Sequence, residues 1–182
     1  RLGGDIHSFK SYCGGLVAPE SDNNPWHYKI SWNPRNIVNA GKMGADYLLS
    51  GFEKHIPYEA LFNEIETVQI PSLGRLAAYA NRDSLSYKTY YGLEKVKTML
   101  RATFRYESFC SGWHSVVCLQ LTSDKQKFSD PELTYYDWFM QATEGIEGKT
   151  PFERIMKVTP KEQVLVINLI QWLGLFDNQL IE

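Results

Sequence analysis

The sequence contains neither of the glycine-rich motifs that proteins commonly use to bind nucleotide phosphates. No Gly-x-Gly-x-x-Gly follows a candidate strand, and no Gly-x-x-x-x-Gly-Lys-Ser/Thr is present. Such loops bring backbone N–H groups against phosphate oxygens at the start of a helix. The usual devices for gripping a dinucleotide or a triphosphate are therefore absent. A nucleotide-dependent reaction of this protein requires a nucleotide domain that lies elsewhere.

The chain is also poor in long apolar runs and in excess positive charge. Its longest apolar stretch, Val164–Phe176, is interrupted by Asn168 and Gln171, whereas a membrane span needs about 20 consecutive apolar residues. The net charge of −2 argues against nucleic-acid binding that relies on bulk positive charge. We therefore predict neither a membrane nor a nucleic acid as a partner.

Cysteine is scarce, and the chain does not begin with methionine. The three cysteines, Cys13, Cys110 and Cys118, have no regular spacing, which favours reduced thiols and a cytoplasmic location over a disulfide framework. The first residue is Arg1, and no signal-peptide pattern follows. We therefore expect that the sequence begins inside a larger protein.

Alternating apolar and polar residues, bounded by turn residues, predict several short strands. A hairpin is expected where Ser50-Gly51 separates two such runs. The predicted strands are Ile6–Tyr12, His27–Trp32, the hairpin Asp46–Ile56, Thr67–Ile70, Leu76–Ala80 and Thr98–Tyr106.

Capping residues and proline positions predict the helices. They are expected at Pro34–Lys42, Ser84–Tyr91, Glu107–Leu121, from Asp130-Pro131 onward, at Pro151–Val158 and at Pro160–Leu173. Strands that neighbour one another without βαβ alternation favour an α+β fold, a two-layer domain with a mixed, largely antiparallel sheet covered by helices. We predict that residues 1–122 and 159–182 form this domain and that residues 123–158 form a small helical annex.

One candidate site is Cys13-Gly14-Gly15, which follows the first predicted strand. Glycine has no Cβ, so a ligand or another backbone segment can approach it closely. Cys13 is a candidate nucleophile by residue type, but the sequence offers no identifiable base to activate it. We therefore expect Cys13 to line a ligand site and assign no catalytic residue.

A second candidate site consists of arginines. Arg101 and Arg105 are four residues apart on a predicted strand, so they share one face with Thr103. Arg82 lies in a polar turn before that strand. Each guanidinium can hold a carboxylate through two parallel hydrogen bonds, so the set resembles a carboxylate receptor. The alternative is a solvated sheet face or structural ion pairs with Asp83 and Glu107.

Cys110, His114 and Cys118 have the i, i+4, i+8 spacing of one helix face. Zinc sites usually combine ligands from separate segments, and no fourth ligand is evident. A helix face that points into the core accounts for the spacing better, and we predict no metal site.

Three ordered blocks of the sequence resemble the substrate domain of saccharopine dehydrogenase of the L-glutamate-forming type, also called saccharopine reductase. The third block departs from the usual family pattern, which has glycine in place of Ala102. The blocks are Ser11-Tyr12-Cys13-Gly14-Gly15-Leu16 with Ala18-Pro19-Glu20 and Tyr28-Lys29-Ile30-Ser31-Trp32; then Asn81-Arg82-Asp83-Ser84 with Tyr87-Lys88 and Tyr91-Gly92-Leu93; then Arg101-Ala102-Thr103-Phe104-Arg105-Tyr106.

The resemblance implies a larger enzyme in which another, Rossmann-type domain binds NAD or NADP. The α+β part, resembling the C-terminal domain of glyceraldehyde-3-phosphate-dehydrogenase-like enzymes, would bind saccharopine and form a homodimer. Saccharopine carries three carboxylates, so the resemblance implies substrate binding by Cys13, Gly14, Gly15, Arg82, Arg101, Thr103 and Arg105. In lysine metabolism such an enzyme oxidises the secondary amine of saccharopine to give glutamate and aminoadipate semialdehyde, or runs in reverse.

Two other functions fit the residues less well. A carboxynorspermidine synthase-like enzyme would need fewer carboxylate contacts and more acidic residues for its polyamine. A non-catalytic dimerisation or ligand-sensing module would require a parent protein without a dinucleotide domain.

Overall fold

The computed structural model describes residues 4–31, 33–125, 130–159 and 161–181. Contacts between Cα atoms divide the chain into two units. The sheet unit comprises Arg1–Val17 and Trp32–Glu107, and the helical unit comprises Ala18–Ser31 and Ser108–Glu182. The division predicted from the sequence has boundaries at residues 122 and 158, and it stays a prediction.

A mixed, largely antiparallel sheet forms the sheet unit. Its longest strand, β6, pairs with β1 in parallel and with β2 and β5 antiparallel. A strand has only two edges, and β1 pairs with one edge of β6. The strands β2 and β5 therefore pair with different stretches of β6, at Met99 and at Ala102–Arg105. The strands are β1 Ser8–Cys13, β2 Ala45–Leu49, β3 Phe52–Ile56, β4 Ile65–Ile70, β5 Gly74–Ala80 and β6 Thr98–Arg105.

The hairpin predicted at Ser50-Gly51 is confirmed and joins β2 to β3. Leu49 pairs with Phe52 across the turn, and both turn residues have positive φ, 53° at Ser50 and 88° at Gly51. Two successive positive φ values are the signature of a type I′ turn, whose twist matches that of the flanking strands.

Three short helices belong to the sheet unit: α1 Pro34–Val38, α2 Tyr58–Leu61 and α3 Tyr87–Tyr90. The Asn33 side chain caps α1 by accepting a hydrogen bond from the Arg35 backbone N–H at 3.0 Å. Phe62, directly after α2, packs on Tyr79 of β5 with ring centroids 4.8 Å apart. Tyr87 of α3 packs against a buried cluster that includes Met99 of β6.

The helical unit contains α5 Tyr135–Ala142, α6 Pro151–Val158, α7 Gln163–Trp172 and all but the first residue of α4 Glu107–Cys118. Its core consists of Leu119, Phe139, Ile155, Val166 and Ile170, each fully buried. Trp26 is 4% exposed, and its indole N–H donates to the Leu169 carbonyl oxygen at 2.9 Å.

Several predicted elements differ from the structure. The helices predicted at Pro34–Lys42 and Ser84–Tyr91 are shorter and span Pro34–Val38 and Tyr87–Tyr90. The strand predicted at His27–Trp32 is wrong, because its described residues 27–31 form irregular structure. The Tyr28 ring packs on Phe109, with ring centroids 4.8 Å apart. The helix expected from Asp130-Pro131 begins only at Tyr135, where Thr134 accepts a hydrogen bond from the Asp137 N–H.

The start predicted for the last helix, Pro160, lies outside the described residues. The helix itself runs from Gln163 to Trp172, and Glu162 before it has φ 56°. Trp32, the end of the strand that was predicted wrongly, also lies outside the described residues.

A search of the described residues found no helix that is long and apolar enough to span a membrane.

Candidate functional site

A cavity of about 250 Å³ in the sheet unit brings four of the predicted site residues together. They are Arg82, Arg101, Thr103 and Arg105. The last three occupy alternate positions of β6 and therefore share one face of the sheet. Tyr79, the β5 partner of Thr103, lines the cavity as well.

The charge of the cavity lining is entirely positive. Besides the arginines, its polar lining comes from asparagine, tyrosine and threonine, including Asn36, Asn81 and Tyr87. Among the described residues, none that lines this cavity is aspartate or glutamate. Three arginines in a lining that contains no carboxylate suit an anionic ligand.

Arg101 is anchored through its backbone and leaves its guanidinium available. Its N–H donates to Ser84 Oγ at 2.9 Å, and its carbonyl oxygen accepts from the Asn81 N–H at 2.8 Å. Its Cζ lies over the Tyr87 ring, 3.8 Å from the centroid. Within the described part of the chain, no residue accepts a hydrogen bond from this guanidinium.

Arg82 is placed by a tightly bonded loop. Its φ of 53° is unusual for a residue other than glycine, and its carbonyl oxygen accepts from the Asp46 N–H at 3.0 Å. The Ser84 N–H donates in turn to the Asp46 carbonyl oxygen at 2.7 Å. Asp46 of β2 thus holds both sides of the turn that carries Arg82. Its guanidinium also has no hydrogen-bond acceptor among the described residues.

Asp83 stabilises the same loop. Its Oδ1 accepts hydrogen bonds from the Leu85 N–H at 2.7 Å and the Ser86 N–H at 3.2 Å. Hydrogen bonding from Ser86 and Leu85, with a further contribution from the positive charge of Arg101, keeps the pKa of the Asp83 carboxyl below its ordinary value.

The predicted partner Glu107 binds a different arginine. Its carboxylate accepts from Arg75 Nη2 at 2.9 and 3.1 Å and from the Thr67 hydroxyl at 3.1 Å. The hydrogen bond from Arg75 lowers the pKa of the Glu107 carboxyl. Glu107 therefore has an ion-pair partner on β5, outside the cavity lining.

Among the described residues, the guanidinium of Arg105 donates hydrogen bonds to backbone carbonyl oxygens, whereas those of Arg82 and Arg101 do not. Its Nη1 donates to the Phe104 carbonyl oxygen at 2.8 Å and to the Gly15 carbonyl oxygen at 3.3 Å. Arg105 therefore ties the segment after β1 to β6 while it lines the cavity.

The Cys13-Gly14-Gly15 segment lies beside the cavity lining. Cys13 pairs with Thr103 in parallel register, so the two share a sheet face. A Cβ on Gly14 would lie 2.5 Å from the Phe104 carbonyl oxygen, whereas a Cβ on Gly15 would have no atom within 4 Å. The lack of a side chain at Gly14 is thus explained by contact with β6, without a ligand.

A second cavity, of about 300 Å³, is lined by a different set of sheet-unit residues that includes Lys10, Glu66, Ala78 and Ala102. Its lysine is already paired, because Lys10 Nζ lies 3.2 Å from the Glu66 carboxylate. The Tyr12 hydroxyl donates to the same carboxylate at 2.8 Å. This cavity therefore offers an anion less net positive charge than the arginine-lined cavity.

The residues considered as metal ligands lie on α4. Cys110 is fully buried, and the Cys118 Sγ lies 3.7 and 3.8 Å from the His114 ring nitrogens. No group of three or more histidine, cysteine, aspartate or glutamate side chains suited to a metal occurs among the described residues.

Sequence reasoning missed Tyr87, Asn36 and Asn81 as cavity residues. Tyr87 and Asn81 lie in the second family-like block, but nothing in their spacing to β6 predicts a contact with Arg101. That contact depends on how α3 packs on the sheet, which is a tertiary property.

Comparison with known proteins gives consistent results. The family model described as saccharopine dehydrogenase C-terminal domain matches residues 1–180. A saccharopine dehydrogenase (NADP+, L-glutamate-forming) of Schizosaccharomyces pombe is 30% identical over 98% of this chain and 42% of its own length. The mitochondrial alpha-aminoadipic semialdehyde synthase of Mus musculus is 31% identical over 98% of this chain and 20% of its own length.

A solved structure is similar as well. It is apo histidine-tagged saccharopine dehydrogenase (L-Glu forming) from Saccharomyces cerevisiae, which is 29% identical and superposes with a TM-score of 0.81. The match covers 98% of this chain and 42% of the solved chain. This chain thus spans about two fifths of the length of the saccharopine dehydrogenases that it matches.

Proposed function

The chain belongs to the saccharopine dehydrogenase C-terminal domain family, and from this premise we propose that it is the substrate-binding part of an NADP-dependent saccharopine dehydrogenase in lysine metabolism. The observation that carries the proposal is the cavity lined by Arg82, Arg101 and Arg105 without an acidic residue. Saccharopine has three carboxylates, and a site for it needs several fixed cations.

The proposed reaction removes a hydride from the methylene carbon bonded to the secondary amine of saccharopine, and the amine nitrogen loses its proton. The resulting imine is hydrolysed to glutamate and aminoadipate semialdehyde, and the reverse direction uses the same site. Bound NADP would supply the hydride acceptor. The sequence has no glycine-rich dinucleotide motif, so we assign none of its residues to the cofactor. The task of this chain is to hold the substrate in position.

We assign the carboxylates of saccharopine to Arg82 and Arg101, whose guanidinium groups have no hydrogen-bond acceptor among the described residues. Arg105 contributes charge but also holds Gly15 and Phe104. Thr103 adds a hydroxyl on the same face. Cys13, Gly14 and Gly15 are proposed to form a wall of the substrate cleft, since Cys13 lies beside Thr103.

The cavity favours saccharopine over a polyamine. A carboxynorspermidine-type substrate carries ammonium groups that need carboxylate partners, and the described cavity lining has none. Binding measurements with saccharopine and with carboxynorspermidine on the full-length protein separate the two. Tighter binding of carboxynorspermidine would contradict the assignment.

A non-catalytic dimerisation or ligand-sensing module remains the alternative from another functional class. This alternative requires a parent protein without a dinucleotide domain, so a Gly-x-Gly-x-x-Gly motif after a strand elsewhere in that protein would exclude it. Homodimer formation and likeness of the α+β part to the C-terminal domain of glyceraldehyde-3-phosphate-dehydrogenase-like enzymes stay proposals that follow from the family resemblance. A cytoplasmic location, proposed from the cysteine usage, and the division into a substrate domain, residues 1–122 with 159–182, and an annex, residues 123–158, proposed from the pattern of predicted elements, stay proposals as well.

Arg101→Ala in the full-length protein tests the proposed function. We expect the KM for saccharopine to rise at least several-fold, because a charge-assisted hydrogen bond contributes about 1.5–3 kcal/mol. Arg101→Lys should recover only part of the loss, since lysine lacks the two-point fork. Arg75→Ala is the matched control, because Arg75 pairs with Glu107 outside the cavity lining. An unchanged KM in Arg101→Ala removes Arg101 from the site.

A further inference from the structure

Tyr87 presents a fixed aromatic surface to the arginine-lined cavity. It is the first residue of α3, and its ring contacts those of Tyr90 and Tyr91 with centroids 5.8 and 5.5 Å away. It also packs against the buried cluster of Leu48, Val96 and Met99. The ring is therefore held from several sides, although Tyr87 also lines the cavity.

Arg101 rests on this surface. With its Cζ 3.8 Å from the ring centroid, the guanidinium is attracted to the negative face of the ring. A guanidinium that stacks on an aromatic ring uses its flat face, and its N–H donors stay available for hydrogen bonds in its plane. A carboxylate in place of the ring would occupy those N–H groups and cancel the charge.

The carboxylate of Asp83 in the adjoining loop interacts with Arg101 through its charge, but its hydrogen bonds go to backbone groups of the loop. Asp83 Oδ1 accepts from the Leu85 and Ser86 N–H groups, and Ser84 Oγ accepts the backbone N–H of Arg101. The loop and α3 together thus fix both the backbone and the side chain of Arg101, and neither uses the N–H donors of its guanidinium.

We propose that Tyr87 is a positioning residue, which holds the Arg101 guanidinium over its ring so that the N–H donors face a carboxylate of the ligand. The inference rests on the proposed function, because it takes the ligand of Arg101 to be a carboxylate of saccharopine. It assigns to Tyr87 a role through its ring face, and none through its hydroxyl.

The test uses the full-length protein and steady-state kinetics with saccharopine. Tyr87→Leu removes the ring face and should raise KM about three- to tenfold, with kcat changed by less than about twofold. Tyr87→Phe keeps the face and should rescue most of the KM. Phe52→Leu is the matched control, since Phe52 of β3 is an aromatic residue that is 70% exposed and does not line the cavity.

A general loss of structure is separated from loss of positioning by a double-mutant cycle. In the Arg101→Ala background, Tyr87→Leu should raise KM no further, because the side chain that it positions is gone. An additive effect, an unchanged KM in Tyr87→Leu, or equal damage by Tyr87→Phe and Tyr87→Leu would overturn the inference.

The same measurements distinguish this inference from the proposed function. If Arg101→Ala raises KM while Tyr87→Leu does not, only the role of Tyr87 is refuted. If neither variant changes KM, the proposed substrate site itself is refuted, and the role of Tyr87 with it.

Discussion

At the scale of single residues, two adjacent glycines have different reasons to be glycine. Gly14 faces the β6 backbone, where an added Cβ would lie 2.5 Å from the Phe104 carbonyl oxygen. Gly15 has open space around the same position. Within the described part of the chain, packing therefore requires glycine at position 14 but not at position 15.

Alanine substitution should separate the two glycines. We expect Gly14→Ala to lower the free energy of unfolding by about 1–3 kcal/mol, because backbone must shift to admit the methyl group. Gly15→Ala should change it by less than about 1 kcal/mol. Denaturant unfolding of both variants measures the difference. Equal destabilisation by the two substitutions would contradict this account.

Asp83 makes the loop beside Arg101 sensitive to acid. Because its folded-state pKa is lowered, its contribution to stability is present above its ordinary pKa of 3.8 and is lost as the pH falls through the folded value. Asp83→Asn should therefore be less stable than the wild type near neutral pH, and the gap should shrink as the pH falls below 4. Unfolding curves at several pH values test this, with Asp5→Asn as the exposed control. A gap that does not depend on pH would exclude the carboxylate charge as its cause.

At the scale of elements, helix α4 contains Gly112, although glycine has a low helix propensity. In a helix interior, Gly→Ala normally gains about 1 kcal/mol. A Cβ on Gly112, however, would lie 2.7 and 2.8 Å from two Trp26 ring atoms and 2.9 Å from Leu169 Cδ1. The Trp26 ring cannot move easily, since it is 4% exposed and its indole N–H is bonded to Leu169.

We therefore expect packing to outweigh propensity at this position. Gly112→Ala should lower the midpoint of thermal unfolding, with a net loss of about 1–3 kcal/mol. Gly145→Ala is the matched control, because nothing lies within 4 Å of its added Cβ. A stabilised Gly112→Ala variant would show that the Trp26 ring moves to admit the methyl group and that the gain in helix propensity outweighs the cost of packing.

Elements defined by local signals could be predicted from the sequence, and those defined by tertiary contacts could not. The Ser50-Gly51 turn and the start of α1 at Pro34 depend on nearby residues alone, and both are confirmed. The residues His27–Trp32 have a strand-like sequence pattern, but the Tyr28 ring packs on Phe109 and the described residues form no strand. The same limit applies to Asp130, whose carboxylate accepts from the Glu132 N–H without starting a helix there.

The same division holds for the candidate site. Arg101, Thr103 and Arg105 could be placed on one face, because alternation is a local property of a strand. The sequence could not predict that Arg105 binds the Gly15 carbonyl oxygen, since this contact requires β1 to pair with β6. Nor could it predict Tyr87 beneath Arg101, because α3 reaches that position only through the packed core.

At the scale of the whole molecule, the chain carries the proposed substrate site, and its sequence contains no glycine-rich dinucleotide motif. We therefore expect the 182-residue chain alone to form no reduced nicotinamide when given saccharopine and NAD or NADP. The full-length protein in the same assay is the positive control, and nicotinamide absorbance is the measurement. Saccharopine-dependent reduction by the isolated chain would refute this expectation.

The parallel pairing of β1 with β6 also sets an order in time. Ser8 to Cys13 pair with Thr98 to Thr103, about 90 residues later in the chain. At about 5–20 residues per second, a ribosome makes the partner of β1 roughly 5–20 s after β1 itself. During that interval the nascent strand presents unpaired N–H and C=O groups, which another nascent chain or a chaperone can bind. The strand that brings Cys13 beside Thr103 is thus the first of the sheet to be synthesised, and it waits longest for its partner.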